Sequence, residues 1–124
     1  MRRLTPAELD AYDVLPRALA TRVRIQRVPF LAPGSNGMTI GRFVFLRNDG
    51  IYDGSRKIIA HELVHVRQYH ELGVVRFLAR YLSHYVRALL RLKRHRAAYL
   101  AIPFEVHAYA EADEWLARRQ AIVP

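Results

Sequence analysis

The sequence predicts a small α+β domain: a short mixed or antiparallel sheet of about three strands within residues 22–52, packed on three helices. Two observations lead there. Between residues 22 and 46, apolar and polar residues alternate or cluster in β-favouring runs. From residue 56 onward, apolar residues recur at every third or fourth position, as on helix faces, with Gly73 and Pro103 as punctuation. A chain of 124 residues, 52% of them hydrophobic, can bury one core, so residues 1–124 read as a single domain.

Thr5-Pro6-Ala7-Glu8 is a helix start. Thr5 can cap, Pro6 fits the first helical position, and Glu8 can reach back to the cap. That helix should run to about Val14, with another short helical turn from Pro16 to Thr21. Arg22 to Phe30 reads as a half-buried strand, with Val23 and Ile25 on one side and Arg22, Arg24 and Gln26 on the other. Pro33 to Gly37 is a loop by composition. Met38 to Gly41 and Arg42 to Arg47 follow, and Phe43-Val44-Phe45-Leu46 favours a strand. Asn48-Asp49-Gly50 signals a turn, and Ile51-Tyr52 a short extended piece.

A helix from about Arg56 to Leu72 should be capped by Asp53 or Ser55 and stopped by Gly73. A second should span about Val74 to Arg94. Its apolar stripe includes Phe77, Leu78, Tyr81, Tyr85 and Leu89; Arg76, Arg80, His84, Arg87 and Arg91 lie opposite. It reads as the backing helix of the fold, with aromatics that belong to the core. Lys93 to Arg96 is a basic run. A third helix should begin near Pro103, with Phe104, Ala108, Ala112, Trp115 and Leu116 as its stripe. Its acidic first half and Arg118-Arg119 near its end suit the helix dipole.

The first of these helices carries the chemistry. His61-Glu62-Leu63-Val64-His65 has the form H-E-x-x-H. Positions i and i+4 share a helix face, so both imidazoles can reach one Zn²⁺ at roughly 2.0–2.1 Å. Glu62 lies about 100° round the helix, placed to take a proton from a water activated at the metal. Ile58, Ile59, Ala60, Leu63, Val64 and Val66 surround the motif with the apolar residues that a buried helix needs. A catalytic zinc site requires three protein ligands. Glu105 is the favoured third, because Phe104 and Ala108 should press its helix turn against the core and small Ala108 permits close helix approach. His107, Glu111, Asp113 and Glu114 compete for that role.

With no Cys in the chain, a disulfide framework and a Cys-bound zinc are excluded, and a reducing cytoplasm is the expected setting. No signal peptide is evident, and no apolar run reaches the ~18 residues of a membrane span. The net charge of +9 favours an anionic partner, nucleic acid or a membrane surface, through the basic face from Arg76 to Arg96.

His61-Glu62-x-x-His65 with a downstream glutamate helix resembles the gluzincin metallopeptidases, and the size resembles the minigluzincins. HELVHVRQY together with IPFEVHAYAEAD is also similar to small bacterial HEXXH domains of uncharacterised function. The resemblance runs from Phe43 to Trp115 at motif level. It implies a zincin-like fold and a zinc metalloendopeptidase acting on a peptide or protein substrate. His61, His65 and Glu105 would be the ligands and Glu62 the general base. The strand at Phe43–Leu46 would be the edge along which substrate lies. Thermolysin-type members carry Asp four residues after the ligand glutamate, where this chain has Tyr109. Their large C-terminal subdomain, which supplies transition-state donors, has no counterpart here. Tyr109, His107 or an arginine are the candidates to stand in for these groups. A basic binding module without chemistry, on the same fold, is the alternative reading.

Overall fold

The computed structural model describes residues 1–122. The N-terminal capping box forms as its residues imply. Thr5 Oγ1 accepts from the Glu8 amide at 3.2 Å, and Glu8 Oε1 accepts from the Thr5 amide at 2.9 Å. Helix α1 (Pro6–Ala11) stops short of Val14, because Tyr12 leaves helical geometry at φ −87°, ψ 81° and turns its ring, with Val14 and Leu15, into the core. Arg2 fastens this corner. Its guanidinium donates to fully buried Glu8 at 2.6 and 3.0 Å and to Asp49 at 2.7 and 2.8 Å. A buried carboxylate is tolerable only with such partners.

After the short α2 (Arg17–Ala20) come β1 (Arg24–Arg27), β2 (Gly37–Ile40) and β3 (Phe43–Leu46). The sheet is mixed, in the order β1-β3-β2, with β1 parallel and β2 antiparallel to β3. The first strand is narrower than Arg22–Phe30. At one end the Arg22 and Val23 amides are still committed to the α2 turn, at 3.0 and 3.2 Å. At the other, Val28 makes the last bond, to the Leu46 carbonyl at 2.9 Å, and Pro29 has no N–H to continue it. Met38 to Ile40 proves to be a strand, hairpinned onto β3 through Gly41 at φ +61°. Ile51 and Tyr52 lie outside the sheet and are exposed.

The strand order corrects the expected substrate edge. β3 is central, because the long 28–36 connection carries the chain past it before β2 returns on its far side. β1 and β2 are the outer strands, and β2 is the one beside the cleft. In β2, Thr39 is buried against the helix beneath, while Met38 and Ile40 face outward.

That helix is α3 (Lys57–Leu72), buried on nearly every side. Neither Asp53 nor Ser55 caps it. Asp53 accepts from the Ser55 amide at 3.0 Å instead, and the Arg56 amide at the N-cap donates to Tyr12 Oη at 3.0 Å. Gly73 ends the helix at φ +85°. α6 (Pro103–Ile122) packs along α3, and Ala108 and Ala112, both fully buried, allow the close approach that small residues permit.

α4 (Val74–Leu92) differs from a backing helix immersed in the core. Only Phe77 and Ala88 are buried on it. It ends at Leu92, before Arg94, because Lys93 adopts the left-handed conformation at φ 59°. The chain folds back as α5 (His95–Ala101), a helix too short for its sequence to show a period. Among the described residues, no helix is long and apolar enough to cross a membrane.

Candidate metal centre

His61 and His65 sit one turn apart on α3, 7% and 4% exposed. Apolar neighbours in the helix keep both rings inside: Leu63 and Val64 are fully buried and Val66 nearly so. Glu105 enters from the first turn of α6, at 3% exposure. Its Oε1 lies 3.0 Å from His61 Nε2 and 3.0 Å from His65 Nε2. One ligand atom from each of the three lies within 4.8 Å of the other two. The 3.0 Å separations fall a few tenths below the ~3.4 Å edge of a tetrahedron with ~2.1 Å bonds.

The hydrogen-bond partners of these groups set their tautomers and charges. Gln68 Nε2 donates to the Phe104 carbonyl at 3.2 Å, which turns its Oε1 toward His65 Nδ1 at 2.8 Å. His65 therefore carries a proton on Nδ1 and directs Nε2 at Glu105. A bare Nε2 and a carboxylate oxygen at 3.0 Å repel unless a proton or a cation joins them. Protonated His65 satisfies this requirement, and so does a metal ion shared by all three. Two imidazoles and a carboxylate form a zinc donor set, and the residues fit the ion.

Tyr81 Oη donates to Glu105 Oε2 at 2.6 Å, and Tyr99 Oη to Oε1 at 3.1 Å. Burial would raise the Glu105 carboxyl, but the bonds from His61 and His65 outweigh it and hold the group well below the usual carboxylate range. Burial and then the Glu105 charge push both phenols well above their ordinary value, so they remain donors. Burial disfavours a charged His65, yet its bond to Glu105 and the Glu105 charge prevail and raise its proton affinity.

Glu62 lies beside the cluster, off the His61–His65 face, at 4% exposure. Thr39 Oγ1 stands 2.9 Å from its Oε1 and 3.2 Å from its backbone carbonyl. Burial raises the Glu62 carboxyl above its ordinary range, against the opposing pull of His65, His61 and Thr39. Gly37 makes room for it: a Cβ there would lie 3.0 Å from Glu62 Oε2. His61, Glu62, His65 and Glu105 all line one cleft of about 730 Å³, walled by β2 on one side and by Phe77, Leu78, Tyr81 and Leu82 of α4 on the other. That volume is within the range of small-ligand and peptide-side-chain sites.

Tyr109 also lines the cleft, with its ring 4.4 Å from that of His61. His107 does not; it is exposed on the outer side of α6, because two positions on from buried Glu105 the helix has turned to solvent. The other competing acids are engaged elsewhere. Glu111 pairs with Arg67 at 2.5 Å, Asp113 with Lys57, and Glu114 with Arg118 at 3.5 Å. The partner of His65 Nδ1 is Gln68, three residues on along the same helix and legible by that spacing. Thr39, Gly37, Tyr81 and Tyr99 carry no such local signal, since each reaches the site from another element.

The sequence model of the eCIS core domain matches residues 27–73. The matched stretch runs from the end of β1 through α3 to Gly73, so it includes Gly37, Thr39, His61, Glu62 and His65. It stops before Tyr81, Tyr99 and Glu105. No curated protein and no solved structure matches the chain.

Proposed function

We propose that the chain is a zinc metalloendopeptidase, with His61, His65 and Glu105 holding the ion and Glu62 as general base. The observation that carries this reading is the convergence of those four buried groups on one open cleft beside an edge strand. When bound, zinc would supply the positive charge that acidifies water and polarises a carbonyl. Glu62 takes a proton from the attacking water and returns it to the departing amine, so that water and a peptide bond become a carboxylate and an amine. Thr39 aims the Glu62 carboxylate and Gly37 leaves it space. The open edge of β2 is where an extended peptide would lie. Tyr109, beside His61, is the side chain placed to meet substrate. The alternative of a basic module without chemistry provides no role for four titratable groups buried around one point.

The test is cleavage of a peptide library by zinc-loaded wild type and by zinc-loaded Glu62→Gln. The variant keeps shape and zinc and loses about 10²–10⁴-fold in rate. Equal cleavage by the two rejects the mechanism. Glu105→Ala should lower zinc content in elemental analysis, and unchanged content removes Glu105 from the site.

A further inference from the structure

We propose that α4 is a docking face for an anionic lipid surface, a property separate from the chemistry of the cleft. At about 100° per residue, α4 divides into three arcs. Phe77 and Ala88 face the body of the protein and are buried. Val75, Leu82, Val86 and Leu90 share an arc of roughly 80°. They are 83%, 57%, 50% and 74% exposed. Arg76, Arg80, Arg87 and Arg91 occupy a neighbouring arc of roughly 60°, all exposed. From Val74 to Ala101 the chain has no acidic residue, and Lys93, Arg94 and Arg96 extend the cationic side. Among the described residues none of these seven cations is in an ion pair.

The two arcs together select the partner. Nucleic acid would satisfy the arginines and leave four large aliphatic side chains without an apolar contact. A second copy of this chain would cover the aliphatics and bring two acid-free cationic faces together, which like-charge repulsion opposes. A lipid surface accepts both. The aliphatics enter the boundary of the acyl region, and the arginines lie among anionic headgroups with their stems along the apolar surface. Leu82 also lines the cleft, so the docked face adjoins the cleft mouth.

The test is co-sedimentation of the whole chain with phosphatidylcholine vesicles, with and without phosphatidylserine. Binding is expected only with phosphatidylserine and should weaken as salt is added. Arg80→Gln/Arg87→Gln/Arg91→Gln should lose on the order of 100-fold in affinity, at roughly fivefold per cation. Val75→Ser/Val86→Ser/Leu90→Ser should lose on the order of 10-fold or more. Arg3→Gln/Arg22→Gln/Arg27→Gln removes the same charge from exposed positions off α4 and should change affinity by no more than about threefold, because screening limits its reach. Circular dichroism checks the fold of each variant, and single Arg87→Gln and Leu90→Ser forms replace any triple that misfolds. The proposal is overturned by absent binding to phosphatidylserine vesicles, by equal losses in the two arginine triples, or by an aliphatic triple that binds as wild type does. Binding to duplex DNA in place of vesicles, or a dimer that the aliphatic triple dissolves, overturns it too and assigns the face to that partner.

Discussion

α3 and α4 are consecutive helices of similar length, 16 and 19 residues, and they make opposite use of apolar side chains. α3 mixes His, Glu, Gln and aliphatic residues around its circumference, yet ten of its residues are buried. α4 separates arginine from aliphatic residues far more cleanly, yet only two of its residues are buried. A clean amphipathic pattern shows that a helix meets two different environments; it does not say that the apolar one is the protein's own core. α3 lies between the sheet and α6, so every face needs a partner, and its polar groups are admitted because Glu105, Thr39 and Gln68 satisfy them.

Truncation should separate the two helices most sharply. Leu63→Ala removes a fully buried side chain and should cost about 2–5 kcal/mol, read from urea unfolding. A loss below about 1 kcal/mol would mean that α3 is not the packed centre. Next in size is Gln68→Ala. It frees His65 Nδ1 while leaving all three ligand candidates in place, and zinc affinity should fall by about 10–100-fold in a chelator competition. Unchanged affinity would show that the imidazole needs no orienting partner.

The start of α3 offers a pH test. Burial, foremost, pushes the Tyr12 phenol up to about 12 from 10.0, despite its bond from the Arg56 amide. A phenol whose pKa rises on folding keeps its proton in the native state where the unfolded chain has lost it. That contribution is complete below pH 10 and is lost as pH rises toward 12, with stability falling by roughly 2 kcal/mol across the window. In Tyr12→Phe the alkaline decline in unfolding free energy should be shallower; an identical slope would remove Tyr12 as its source. The smallest effect belongs to α4. Leu90→Ala, at 74% exposure, should change stability by less than about 0.5 kcal/mol. A larger loss would show that the outer arc of α4 packs against something within the chain.

Much of this was written locally. His61 and His65 share a face because a helix repeats every ~3.6 residues, and their helix was evident from Ile58 to Val66 and from the stop at Gly73. Thr5 and Glu8 lie three residues apart, so their capping box was equally legible. Glu105 was accessible by the next step of reasoning, as a carboxylate on a helix turn that Phe104 and Ala108 press inward. In each case the interacting groups sit within about a turn of each other, or follow from the burial of their immediate neighbours.

Only the tertiary structure decided which distant elements meet. Strand order is a choice among pairings of similar local propensity, and it placed β2, not β3, at the edge beside the cleft. That choice brought Thr39 onto Glu62 and Gly37 against the same carboxylate. Folding α4 and α5 back over the site turned Tyr81, an apolar-stripe residue by periodicity, and Tyr99, on a helix too short to show a period, into donors to Glu105. It also left Leu82, Val86 and Leu90 uncovered. Periodicity specifies the direction a side chain takes from its own helix axis; what lies in that direction depends on contacts between residues tens of positions apart.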